Sequence, residues 1–471
     1  MAVSGYGIGM DDQLEKQCDD LATHLLQLEQ KSGLRKQRRA NSSLIKFKLS
    51  TVWLCKRLLA AHAASANAGM RISRDKNRYR KSRYLPEGIS YDVTVLGVLA
   101  LMDMDGWVSE VRKGAYERST GEGKQTRIVA TKKLVDWFSI DSNAISKTLV
   151  GFEDCDPLVV QITSKRKETN EKGKVVIIKT KTLKSYKDTN DTIRMRENLY
   201  VINNCLKRHW SDLYLSDDDW VRLQESLLSN KEHDYSPIKL HRQTIKRVFN
   251  SLDFNVGGRF YGGWWQNIPK AYRSLVTIDG KRTVEFDYST FYPVMLYALK
   301  GLELSGDAYD IGIGQENRGL VKELFNSMVH SPEPKNRPPR GVRLRHTGKS
   351  FRELRDLIYI KHEPIRDMFY CGMGNRLQFY DSQIAEQVML YFAKRDVPVL
   401  PVHDSFLIQG GLKIDLIEVM RKVFKKLFDV PITIKDGATF VPVSTTLDDR
   451  VEVDEVVKHT EEFDSWFKRN A

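Results

Sequence analysis

The sequence predicts an α+β chain of several domains, on three observations: helical periodicity through much of residues 1–150, a hairpin pattern over 158–183, and two strand patterns that each end on an acid, Asp287 and Asp404. Its 471 residues exceed what one compact core accommodates. Hydrophobic residues make up 41% and charged residues 29%, and no run approaches the roughly 20 apolar residues of a membrane span. The first residues, MAVSGYGIGMDDQLEK, lack the basic and apolar regions of a secretory signal, so a cytoplasmic protein with no membrane partner is expected. The five cysteines lie far apart, which indicates neither a zinc module nor a disulfide framework.

Gly5, Gly7 and Gly9 suggest a flexible terminus. Leu14, Cys18, Leu21, Leu25 and Leu28 then repeat at steps of four and three, the spacing of an amphipathic helix. The net charge of +14 is localised: residues 35–83 hold 15 Lys or Arg against the single acid Asp75, and the rest of the chain is balanced. With Trp53, Tyr79 and Tyr84 interleaved, 1–88 reads as a helix followed by a basic arm suited to a polyphosphate backbone, a solvated basic tail being the plainer alternative. Over 89–190 the helical stretches YDVTVLGVLALMDM and ATKKLVDWF precede DSNAISKTLVG, with Asp141 or Ser142 as its cap. PLVVQIT and VVIIKTKTL follow around the basic loop SKRKETNEKGK, so a winged-helix-like DNA-binding domain is expected, then a helical segment over 191–254.

The chemistry concentrates beyond residue 258. In GRFYGGWWQNIPKAYR, Arg259, Lys270 and Arg273 supply phosphate-directed charge, and Gln266 and Asn267 suit base edges or sugars. The strand TVEFDY delivers Asp287, and DVPVLPVHDSFLIQGG reads as a hairpin with His403 and Asp404 at its turn. Two carboxylates on adjacent strands could hold two Mg²⁺ ions, with Mn²⁺ as an alternative. Between them, Arg318, Lys322 and Asn326 recur every four residues, so a helix presents them together towards a nucleoside triphosphate; a solvated helix face is the plainer reading. In DSQIAEQVMLYFAKRD, Ile384, Val388 and Phe392 at helical spacing predict a further helix, which carries Gln383 as a candidate nucleic-acid contact.

The order GR, QNIP, strand-end Asp, R-x-x-x-K helix and VHD resembles the polymerase domain of family A DNA polymerases over roughly 255–440. The resemblance implies a right-hand palm, fingers and thumb: a thumb-like segment at 191–254, palm and fingers at 255–445, and a tail at 446–471. It implies that Asp287 and Asp404 are the catalytic metal ligands, that Arg318 and Lys322 serve the fingers, and that the GR and QNIP elements contact a DNA primer-template. Three departures mark a divergent relative. Ser405-Phe406 after the acid is similar to phage-type single-subunit RNA polymerases, K-E-L-F-N-S is similar to the K-x-x-x-N-S of family B, and the usual Tyr-Gly is missing. Tyr292, five residues after Asp287, corresponds to the position that excludes a 2′-hydroxyl, whereas Tyr288, Phe291 and Tyr297 read as packing. The expected function is thus a template-dependent DNA polymerase of a phage, plasmid or other mobile element. The alternatives are a single-subunit RNA polymerase or primase, and a DNA-binding replication initiator whose palm is structural. No proofreading site is apparent in the sequence.

Overall fold

The computed structural model describes residues 8–65, 69–117, 122–139, 142–152, 155–169, 175–229 and 237–437. The fold is α+β and holds two hydrophobic cores, one drawn from residues 14–149 and one from residues 158–432.

In the first core, α1 (Ile8–Lys31) buries Leu14, Cys18, Leu21 and Leu25 on one face, as their spacing predicts. Helix α2 (Asn41–Ala64) packs against it through Phe47, Leu54, Cys55 and Leu58. Next come β1 (Met70–Ile72), a π-helical segment (Tyr91–Leu99) that continues as α3 (Ala100–Met104), β2 (Val108–Arg112), and a small hairpin of β3 (Ala115–Glu117) and β4 (Glu122–Lys124). Strand β5 (Thr126–Ala130) is the centre of an antiparallel sheet β1-β5-β2, and α4 (Lys132–Phe138) and α5 (Ser142–Thr148) complete the unit.

Two expectations are corrected here. The basic segment is no arm, because the apolar positions of α2 give it a face that must be buried. Many of its cations are met by acids from outside the segment: Glu29 holds Arg35 and Arg39, Asp19 holds Lys48, and Asp156 and Asp188 hold Arg83. Its aromatics are also engaged, Trp53 beneath the Arg57 guanidinium, and Tyr79 and Tyr84 as donors to the Ser73 and Lys184 carbonyls. The hairpin at 158–183, moreover, is not the wing of a helical module. It belongs to the second core, through Leu158 and Val160.

That core begins with β6 (Leu158–Thr169), β7 (Val175–Leu183), α6 (Asn190–Arg208), β8 (Ser211–Leu213) and α7 (Asp217–Ser229). It continues with β9 (Lys246–Phe249), β10 (Gly257–Tyr261), β11 (Val276–Ile278), β12 (Lys281–Tyr288), α8 (Phe291–Ala298), α9 (Arg318–His330), α10 (Phe351–Lys361) and α11 (Met373–Ala393). Strands β13 (Leu400–Val402) and β14 (Ser405–Gln409), helix α12 (Lys413–Phe428) and β15 (Ile434–Asp436) close it. One sheet runs β10-β9-β6-β7, with β6 parallel to β9; the other runs β13-β14-β12-β11-β8, with β15 on the end of β12. The boundaries expected near 88, 190 and 254 consequently fall inside cores: Met70 and Val95 share the first, and Leu158, Leu199 and Phe260 share the second. The expected flexible terminus (residues 1–7), Asp141, the tip of the basic loop (170–174) and the 446–471 tail lie outside the described residues.

Helix α11 is clipped to β9 and β10 by a buried ion pair. Arg247 is wholly buried and donates to Glu386 at 2.7 Å, to Ser382 at 2.9 Å and to the Gly258 carbonyl at 3.0 Å. Gly258 has φ +86°, and a Cβ there would lie 2.8 Å from Ser382 Oγ, so only glycine allows this approach. Removing one partner leaves an uncompensated buried charge. Glu386→Gln should therefore lower stability by about 3–5 kcal/mol in denaturant unfolding. Replacing both residues, Arg247→Met with Glu386→Leu, should recover part of that loss.

Candidate active site

The two acids are brought together by strand pairing. In the β12–β14 ladder Asp287 lies opposite Ser405, and Val402 opposite Ser405 closes the β13–β14 hairpin, leaving His403 and Asp404 as its two-residue turn. Asp287 and Asp404 line one cleft of about 290 Å³ with Tyr292 of α8, Lys322 and Asn326 of α9, and Arg259 of β10. Two non-glycine residues flanking the acids adopt left-handed backbone: His403 at φ +59° and Thr290, at the start of α8, at φ +54°. Such conformations cost on the order of 1–3 kcal/mol each and concentrate at functional sites.

The cleft carries unbalanced negative charge. Asp287 Oδ2 pairs with Lys435 of β15 at 3.3 Å, whereas Oδ1 is buried without a hydrogen-bond partner among the described residues. Burial, reinforced by the Asp404 charge and opposed by Lys435 and Lys322, pushes the Asp287 carboxyl up to about 6. Asp404 makes no hydrogen bond or ion pair among the described residues. A third acid stands behind them. Asp381 of α11 is 3% exposed, and burial together with the Asp404 and Asp287 charges pushes it up to about 7 despite its 2.7 Å hydrogen bond from Arg259 Nε. Arg259 Nη2 also donates to the Tyr292 hydroxyl at 2.8 Å, so one guanidinium fixes the acid and the tyrosine together. Asn326 Oδ1 is another buried acceptor with no partner among the described residues. Carboxylate and amide oxygens of this kind suit a hard divalent cation, so the donor set fits Mg²⁺ or Mn²⁺ at Asp287 and Asp404.

Several expected site residues are placed differently. Arg318 shares the exposed side of α9 but does not line the cleft, because Asp307 takes its Nε at 2.6 Å and its Nη2 at 3.0 Å. Gln266 is occupied within the fold: it accepts from Gly262 N and donates to the Phe260 and Pro401 carbonyls, leaving nothing for a base edge. Arg273 is paired with Glu285 at 3.1 Å. Asn267 and Lys270 are exposed and lie off the acid cleft, His403 is exposed with its ring edge-on to Tyr261, and Gln383 lines a separate cleft beside Phe379 and Arg194. Asp381, Lys435, Tyr309 and His330 are further members that the sequence reading did not single out. Asp381 had a visible signal, since it falls in the stripe Leu377, Asp381, Ile384 and Val388, an acid where an apolar residue is due.

No protein-family model and no curated protein matches this sequence.

Because Asp287 and Asp381 keep their protons to higher pH in the fold than an aspartate's ordinary 3.8, the native state binds more protons between about pH 4 and 7. The stability present below that window is lost as pH rises through it, Asp287 alone accounting for on the order of 3 kcal/mol. Chelator-treated protein should thus melt at a lower temperature at pH 8 than at pH 5. Mg²⁺ should raise the melting temperature more at pH 8, and Asp287→Asn should flatten the pH dependence; calorimetry across pH measures all three.

Proposed function

We propose that the protein is a template-dependent DNA polymerase that adds deoxynucleotides to a primer end, in the service of a phage, plasmid or other mobile element. The observation that carries this reading is the juxtaposition of Asp287 and Asp404 at neighbouring strand ends, with an unpartnered Asp287 oxygen, in a cleft that Lys322 and Asn326 also line. When bound at these carboxylates, Mg²⁺ supplies charge for the triphosphate and acidifies an attacking hydroxyl.

The chain's own residues supply the rest. Lys322 is exposed and makes no ion pair among the described residues, so its ammonium is available to a nucleotide's phosphates. Arg318, held by Asp307, orders the neighbouring segment and stacks over Tyr309, whose ring lines the cleft. Asn326 offers its unpartnered oxygen to a sugar or base donor. Tyr292 is held by Arg259, itself held by Asp381, which makes its ring a rigid wall rather than a movable flap. A fixed aromatic beneath the sugar leaves no room for a 2′-hydroxyl, which favours deoxynucleotides. The Ser405-Phe406 likeness to RNA polymerases weighs little against this, since Ser405 Oγ donates to Glu285 and Val402 and Phe406 is a core residue. DNA would be met by exposed cations such as Lys165, Arg166 and Lys167 on β6. Among the described residues, no helix is long and apolar enough to cross a membrane.

Extension of a labelled primer on a DNA template with Mg²⁺ tests the reading: dNTPs should be incorporated and rNTPs should not. Asp287→Asn and Asp404→Asn should each reduce incorporation at least ~10³-fold with DNA binding retained, and Lys322→Ala roughly 10²-fold. Tyr292→Ala should admit rNTPs while dNTP incorporation persists. Full activity of either aspartate variant would overturn the assignment.

A further inference from the structure

A second cluster of potential ligands lies at the C-terminal end of α6, away from the acid cleft. Cys205 stands in the last turn of α6, and His209 is the first residue beyond it, on extended backbone. Asp396, in the loop after α11, completes the group: Cys205 Sγ, a His209 ring nitrogen and an Asp396 carboxylate oxygen all lie within 4.8 Å of one another. Cys205 is buried, His209 partly buried and Asp396 exposed. The sequence spacing hides this arrangement, because the third member lies 187 residues beyond the histidine.

Two further observations concern the histidine ring and the aspartate. His209 Nε2 is buried with no hydrogen-bond partner among the described residues, its nearest Asp396 oxygen standing 3.4 Å away. On the other side of the ring, Nδ1 is 2.6 Å from Asp279 Oδ2, and Asp279 is itself fixed by accepting from Trp210 N at 2.9 Å. With the ring proton on Nδ1, donated to Asp279, the Nε2 lone pair faces the cluster, the usual support of a metal-bound imidazole. Arg208 donates to Asp396 Oδ1, the same oxygen that stands 3.4 Å from His209 Nε2, so coordination would use Oδ2.

We propose that Cys205, His209 and Asp396 bind one zinc-class divalent cation, with water completing four-coordination. Sulfur, nitrogen and oxygen donors together select a borderline ion of the Zn²⁺ or Co²⁺ type, in contrast to the all-oxygen acid cleft. Tetrahedral zinc ligands stand roughly 3.3–3.8 Å apart, so the cluster needs to contract by about 1 Å, which the exposed Asp396 side chain can supply. Binding releases the thiol proton to solvent as the thiolate takes the metal. The ion ties the end of α6 to the loop after α11, with Asp279 bracing it from the turn between β11 and β12, at the root of the strand that carries Asp287. This site is independent of the polymerase reading.

Titration of chelator-treated, reduced full-length chain with Co²⁺ tests it. One equivalent should produce a thiolate-to-cobalt charge-transfer band in the near ultraviolet and visible bands of four-coordinate Co²⁺, which Zn²⁺ then displaces. The all-oxygen cleft cannot give the sulfur band. Cys205→Ala should abolish it, whereas Cys371→Ser, which removes an exposed thiol, should leave it unchanged. Asp279→Asn, which suits the left-handed backbone at φ +51°, should retain the fold and weaken Co²⁺ binding at least ~10-fold. Absence of the sulfur band in the full chain, its persistence in Cys205→Ala, or undiminished affinity in Asp279→Asn would overturn the proposal.

Discussion

Arg247 has no contact with solvent, and the way its charge is met sets the geometry of everything around the acid cleft. Glu386 and Ser382 of α11 neutralise and hydrogen-bond it, so the helix is drawn onto β9 and β10. Immediately before Ser382 on α11 stands Asp381, and on β10 stands Arg259, whose pairing repeats the same clip at the edge of the cleft. Through Arg259 the position of Tyr292 follows from the packing of α11. Such buried pairs are a poor source of stability in themselves, since desolvation offsets most of their attraction. Their consequence here is orientation: a helix carrying two acids can dock on two arginine-bearing strands in only one register.

The cleft that results is electrostatically incomplete. Among the described residues, Asp287, Asp381 and Asp404 converge with Arg259, Lys322 and Lys435 as the cations near them, and Arg259 is committed to Asp381. Burial makes each unbalanced carboxylate expensive, which is why Asp287 and Asp381 hold their protons well above an aspartate's ordinary range. Strained backbone at Thr290 and His403 points the same way: the fold retains local cost where the acids must be presented. A divalent cation would relieve the repulsion and engage the unpartnered Asp287 oxygen.

How much of this was legible in the sequence depended on the range of the interactions. The alternation around Asp287, the hairpin presenting Asp404 and the four-residue repeat of Lys322 and Asn326 are local patterns, and the fold keeps all three. Roles that depend on partners elsewhere in the chain were not legible. Arg318 reads as a free cation until Asp307 is seen beside it, and Gln266 reads as a base-contacting amide until Pro401 is seen to use it. The domain boundaries are hidden for the same reason: β6 pairs in parallel with β9, 89 residues on, so the second core reaches back across the expected boundaries. The basic segment misled through its charge, because the hydrophobic face of α2 at Phe47, Leu54 and Leu58 outweighed it.

The central claim is that Asp287 and Asp404 form a divalent-cation site at which a nucleotide's phosphates meet Lys322. Anomalous diffraction from crystals grown with Mn²⁺ and a non-hydrolysable deoxynucleoside triphosphate tests it most directly. The account predicts manganese density against Asp287 and Asp404, with the triphosphate reaching Lys322 and the sugar against Tyr292. Manganese absent from the two carboxylates, or a nucleotide bound outside this cleft, would contradict it.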